Sequence, residues 1–125
     1  YSGGKNIATL NKNKNLKTRK RLLYDYAIKN NETNVASAWS NLQSSKSFLE
    51  SVRSQVEAAE IANEGITGEY ERGLGKRSTL DVIQSNFLLL NAQISLANSE
   101  RNYLLSQYNL LKSIGLLHSD YLKLR

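Results

Sequence analysis

His118 is the only histidine in the 125-residue chain, and it stands beside Ser119 and Asp120. A hydrolase triad is defined by spatial roles, not by adjacency. A single His in a chain without Cys does not make a zinc site either. Glu57, Glu60 and Glu64 fall on successive helical turns, but di-metal carboxylate bundles add Glu-x-x-His pairs, and the chain has none. The three acids read instead as a solvated face, with Arg53 spaced to pair with Glu57 at i,i+4. The sequence has no glycine loop of the Walker type. Its lack of Cys excludes disulfide scaffolds and Cys-based redox chemistry. The expectation is a non-enzyme with no cofactor and no metal.

One other cluster carries chemistry. The first 30 residues hold eight Lys or Arg against one acid, Asp25, a net +7. The whole chain is +6, so the remainder is close to neutral. Basic helices bind nucleic acid or anionic membrane surfaces, and the plain alternative is a solvated basic face. Around a glycine-rich break stand Tyr70, Arg77 and Asp81. Read plainly, Tyr70 is seam core, Arg77 a solvated loop charge and Asp81 a helix cap.

The elements that position these residues are marked by punctuation. The chain has no Pro, and neither Asn6–Glu64 nor Ser78–Ile114 contains Gly. Long helices exclude Pro and use Gly sparingly, so the pattern predicts a long helix, a turn region and a shorter helix. Gly73 and Gly75 can supply positive φ after the first helix. Ser78 with Asp81 three residues on forms a capping-box pattern. Gly65 and Gly68, just before the turn, either permit bending or close helix contact, or mark a flexing tip.

From Val35 the first helix carries two heptad rows. One is Val35, Leu42, Leu49, Val56, Asn63 and Tyr70; the other is Ala38, Ser45, Val52, Ala59 and Ile66. Together they form the 3-4 seam of a left-handed coiled coil, with Trp39 beside it as a packing anchor. The second helix offers a matching seam of Leu80, Phe87, Ile94, Arg101 and Tyr108 with Ile83, Leu90, Ala97, Leu104 and Leu111. It also carries an extra row, Val82, Leu89, Leu96, Tyr103 and Leu110. Two apolar stripes suit a helix with neighbours on two sides, or a broad face in a small bundle. The longest apolar run, Phe87–Leu90, is far short of the roughly 20 residues of a spanning helix. The first helix should reach about 100 Å and the second about 54 Å. Leu16, Leu22, Leu23, Tyr24, Tyr26, Ala27 and Ile28 would then need cover from elsewhere. The chain, which starts at Tyr1, is expected to be a piece of something longer.

The stretch Asn63-Glu64-Gly65-Ile66-Thr67-Gly68-Glu69-Tyr70-Glu71-Arg72-Gly73-Leu74-Gly75-Lys76-Arg77-Ser78-Thr79-Leu80-Asp81-Val82-Ile83 resembles the periplasmic tip of TolC-like outer-membrane efflux and secretion channels. Asn86–Gln93, Tyr103–Leu111 and Ile114-Gly115 are similar to the helix that follows. Tyr1-Ser2-Gly3-Gly4 is similar to the family's joint between barrel strand and long helix. The order and spacing of these motifs carry the resemblance over nearly the whole chain.

The resemblance implies an all-α antiparallel coiled-coil hairpin, most of the second of two repeats, within a trimeric α-barrel. The family's β-barrel strands are not in this chain. It implies a passive export conduit for drugs, small molecules or secreted proteins, served by a periplasmic adaptor and an inner-membrane pump. Residues 1–5 would be the joint, through Gly3 and Gly4. Residues 6–72 would be the long periplasmic helix, 73–78 the tip turn, 79–115 the return helix and 116–125 the start of the equatorial segment. Tyr70 and Arg77 match residues that tie the tip shut, and Asp81 matches an acidic position facing the pore. Two more residues separate Tyr70 from Arg77 than in the best-known member. A second acid often follows the first by one turn, but here that position is Gln84, implying a less acidic constriction. Arg72, Gly73 and Leu74 would lie where the adaptor docks. The competing reading is a soluble coiled-coil module that binds nucleic acid or anionic membrane through its basic end. Under the channel reading nucleic acid is not an expected partner.

Overall fold

A computed structural model describes residues 2–73 and 75–123. They form two helices, α1 (Ser2–Glu71) and α2 (Thr79–Lys123), and no strand among the described residues. The fold is all-α. By their contacts the residues divide into two units, residues 1–39 with 109–125, and residues 40–108.

In the second unit the helices run antiparallel, because Ser45 of α1 meets Ser106 of α2 while Asn63 meets Ser85 and Asn86. The α1 side of the seam follows its heptads. Leu49, Val52 and Val56 are buried, and Leu42, Ser45, Ala59, Asn63 and Ile66 are half-buried. On α2 the face differs from the expected one. The residues turned inward are Val82, Ser85, Leu89, Ala92, Leu96, Ser99, Tyr103 and Ser106, again at 3-4 spacing. Leu80, Ile83, Phe87, Leu90, Ile94, Leu104 and Tyr108 are exposed. The row read as an extra stripe is the one that packs.

Polar satisfaction accounts for the choice. Asn63 Nδ2 donates to Ser85 Oγ at 3.1 Å and to Asn86 Oδ1 at 2.6 Å, and the Ser45 and Ser106 hydroxyls lie 2.8 Å apart. Buried Ser99 satisfies its hydroxyl by donating to its own Ser95 carbonyl. Turning the expected face inward would set the Asn63 amide against Ile83 and Phe87 and draw Arg101 into the seam. An unsatisfied buried polar group costs about 1–3 kcal/mol, and a buried unpaired charge costs more.

In the first unit, buried Ile28 and Ala38 of α1 and Leu110 of α2 form the apolar centre, with Tyr24, Ala27 and Val35 half-buried. Here α2 goes further than its expected end at Gly115, remaining helical to Lys123. One mid-helix Gly costs only about 1 kcal/mol, and the eight residues beyond it find partners. Asn31 donates to Asp120, and Tyr121 donates to Glu32 Oε1 at 2.8 Å. Gly3 and Gly4 are likewise helical, within the first turn of α1. Ile7, Leu10, Leu16, Leu22, Leu23 and Tyr26 remain exposed, and so does Trp39, which is not the packing anchor expected of it. No Arg53–Glu57 ion pair forms; the pair present among the described residues is Arg77–Glu69.

The connection between the helices is specified by local chemistry. Gly73 and Gly75 have φ of 65° and 70°, values that only Gly adopts without strain. The Gly73 amide closes α1 on the Tyr70 carbonyl at 3.1 Å. At the start of α2, Ser78 N–H donates to Asp81 Oδ2 at 2.9 Å, and Asp81 N–H donates to Ser78 Oγ at 3.3 Å. This reciprocal pair is a capping box.

A Cβ at Gly65 would meet nothing within 4 Å, so no close helix contact depends on it. Gly65→Ala should therefore raise stability by about 0.5–1 kcal/mol through helix propensity, whereas Gly73→Ala should lower it through the left-handed backbone; thermal unfolding of the two variants distinguishes them. The Asp81 carboxyl is held below its ordinary range by the Ser78 backbone N–H, the Ser78 hydroxyl and nearby Arg77. A depressed carboxylate contributes its cap above the unfolded value of about 3.9 and loses it as pH falls through the lower folded value. Protection of the first-turn amides of α2, taken as exchange slowing relative to the intrinsic rate at each pH, should thus hold at pH 5 and fall only below about pH 4; loss of protection already between pH 6 and 5 would contradict the assignment.

Candidate functional site

The end of the second unit gathers the polar residues singled out in the sequence. Arg77 Nε donates to Glu69 Oε2 at 2.8 Å, with both side chains about two-fifths exposed. Hydrogen bonding to Glu69 and its charge raise the Arg77 pKa further above its ordinary value, so the guanidinium is a permanent cation. An ion pair this exposed stabilises little by itself. Its consequence is positional, because it ties the turn residue Arg77 back to the last helical turns of α1.

Tyr70 is 42% exposed rather than seam core, and its hydroxyl lies 3.0 Å from Thr79 Oγ1. This bond spans the turn from the end of α1 to the first residue of α2. Arg72 folds back on its own helix, donating from Nε to the Gly68 carbonyl at 3.1 Å. Gly73 sits at the left-handed turn. Leu74 lies outside the described residues.

Arg77, Asp81 and Gln84 line one groove of about 270 Å³, together with Ile66, Ser85 and Leu88. The groove joins a cation, a carboxylate and an amide over an apolar floor. Tyr70 is not among its lining residues. Gly3 and Gly4 belong to the first unit, where added Cβ atoms would meet nothing within 4 Å. The site contains two residues that the sequence reading did not assign, Glu69 and Thr79. Their signal was available, since in an antiparallel pair closed by a turn at Gly73–Gly75 the residues before and after the turn face one another, and Glu69 faces a cation.

Among the described residues no group of three or more His, Cys, Asp or Glu side chains comes together. His118 is exposed, and Asp120 is engaged by Asn31. No described helix is long and apolar enough to cross a membrane. The site can form hydrogen bonds, pair charges and present a shaped polar surface.

Comparison with known proteins places this arrangement in a lineage. The chain is 30% identical over all 125 residues to the outer membrane efflux protein BepC of Brucella suis biovar 1 (strain 1330), and covers 27% of that protein. It is 30% identical over 86 residues, 69% of the chain, to the outer membrane protein TolC of Escherichia coli (strain K12), and covers 17% of that protein. The chain thus spans about a quarter or less of the length of these curated relatives. No family model matches it, and no solved structure matches it. With all-α architecture and relatedness extending over its full length, the chain belongs to the TolC-like outer-membrane efflux proteins.

Proposed function

We propose that this chain is the periplasmic hairpin of the second repeat of an outer-membrane export channel. Three copies would assemble the α-barrel. The whole protein would conduct cargo passively from a periplasmic adaptor and an inner-membrane pump, in tripartite efflux or type I secretion. The observation that carries the reading is the uncovered face of α2. Leu80, Ile83, Phe87, Leu90, Ile94, Leu104 and Tyr108 lie exposed on a helix whose other stripe is already packed. Fully covering such a side chain contributes up to about 1.5–3 kcal/mol, so the row suits a helix inside a wall with neighbours on both sides.

In this reading residues 1–5, with Gly3 and Gly4, lead from the β-barrel into the helices, residues 6–72 and 79–115 form the barrel wall, and residues 116–125 begin the equatorial segment. The turn at 73–78 is the tip, and Arg72, Gly73 and Leu74 meet the adaptor. Tyr70 and Arg77 latch the tip, while Asp81 lines the constriction. Threefold symmetry would convert Asp81 into a carboxylate ring that favours cations, and Gln84 one turn on would leave that ring single.

Single-channel recording of the full-length protein in planar bilayers tests the proposal. Arg77→Ser combined with Tyr70→Phe should raise the resting conductance several-fold. Unchanged conductance would discard the latch roles, and the absence of any channel from the intact protein would discard the conduit.

A further inference from the structure

In the first unit the 3-4 register of α1 runs back from buried Ile28 through Tyr24, Arg21, Lys17, Lys14, Leu10 and Ile7. From Ile28 to Ile66 this register carries apolar, small or amide side chains and no charge. Ahead of Ile28 three successive positions are cationic. With Lys20, and with Lys123 of α2, they line a single groove of about 550 Å³ whose one carboxylate is Asp25. We propose that this groove is a binding site for a phosphate-bearing anionic lipid, with the head group among Lys14, Lys17, Arg21 and Lys123 and the acyl portion along Leu10 and Ile7.

The physics selects the occupant. Another apolar helix seated on these positions would bury unpaired cations, which costs several kcal/mol per ion. A second copy of the same segment would meet its own net +7. Cations converging from two helices on one concavity concentrate positive potential, and each is worth about a fivefold gain near an anionic surface. The stripe does not stay charged. Leu10 and Ile7 continue it, 55% and 62% exposed, and Leu10 stands about 10 Å along the helix from Lys17. A ligand that is anionic at one end and aliphatic at the other matches that sequence. Single-stranded nucleic acid would call for aromatic platforms beside the phosphates, and the aromatic of the groove, Tyr24, is half-buried. The site does not depend on the conduit reading.

The test uses the full-length protein in an uncharged detergent, titrated with dioctanoyl phosphatidylglycerol and followed by native mass spectrometry. Lys17→Glu with Arg21→Glu should weaken binding about tenfold or more. Lys12→Glu with Arg19→Glu changes the net charge equally on the opposite side of α1, and should leave binding within about twofold. Leu10→Asn should also weaken it. If circular dichroism shows that the Glu pair perturbs the helix, Lys17→Gln with Arg21→Gln is judged by the same criterion. Equal loss in both charge-reversed pairs, or no loss at Lys17 and Arg21, overturns the site. Binding dioctanoyl phosphatidylcholine equally well, inorganic phosphate as tightly, or a single-stranded oligonucleotide more tightly than the anionic lipid overturns the lipid assignment.

Discussion

The Asn63 amide is the constraint on which the packing of the second unit depends. An amide at a seam position needs acceptors, and the packed side of α2 supplies them through Ser85 and Asn86. Two heptads further along the same stripe of α2, Ser99 lies buried. One heptad beyond that is Ser106, opposite Ser45. Small residues, Ser85, Ala92, Ser99 and Ser106, thus occupy every second seam position of α2, and the larger Val82, Leu89, Leu96 and Tyr103 fill the positions between. The alternation lets the helices pack large against small, with Leu49, Val52 and Val56 of α1 as the bulk. The greasier stripe of α2 is left facing outward by the same choice. An interaction of modest net worth, about 1 kcal/mol per neutral hydrogen bond, decides which surface is available to other protein.

The sequence made the elements legible because helix signals here are local. Absent Pro, clustered Gly and the Ser78–Asp81 spacing mark the ends through backbone chemistry that needs no tertiary context, and the turn glycines take the positive φ expected of them. The α1 seam was legible for a related reason, since it is the one regular apolar stripe of that helix. The face of α2 was not. Ranking its stripes by hydrophobicity selects Leu80, Phe87 and Ile94, which assumes that the partner is the nearest helix in the chain. When a helix serves two partners, the more apolar stripe goes to whichever contact excludes more water, and a single chain's periodicity does not say which contact that is. A search for partners for the polar seam residues, Asn63 above all, would have found the packed face.

The extension of α2 past Gly115 shows a similar limit. A lone Gly near a sequence's end reads as a terminus, yet its helix cost of about 1 kcal/mol is offset by contacts made several residues later. Asp120 and Tyr121 reach Asn31 and Glu32, partners separated from them by most of the chain. Long-range compensation of this kind is invisible to a local rule. At the turn the roles divide differently. Asp81 is a cap, and the bonds to Ser78 that make it one also keep it ionised, so capping and charge do not compete.

The same economy bears on the turn as a mechanical element. Tyr70 with Thr79 and Arg77 with Glu69 are exposed contacts within one chain, weak enough to be exchanged for equivalent contacts on another surface at little net cost. Gly73 and Gly75, by contrast, fix the path of the backbone. A hairpin end built in this way keeps its fold while its side-chain partners change. The capping box and the glycine turn hold the geometry, and the ion pair and the phenol–hydroxyl bond are the replaceable part. Separating rigid backbone from exchangeable side chains leaves Glu69, Tyr70, Arg77 and Thr79 able to change partners while the hairpin end keeps its fold.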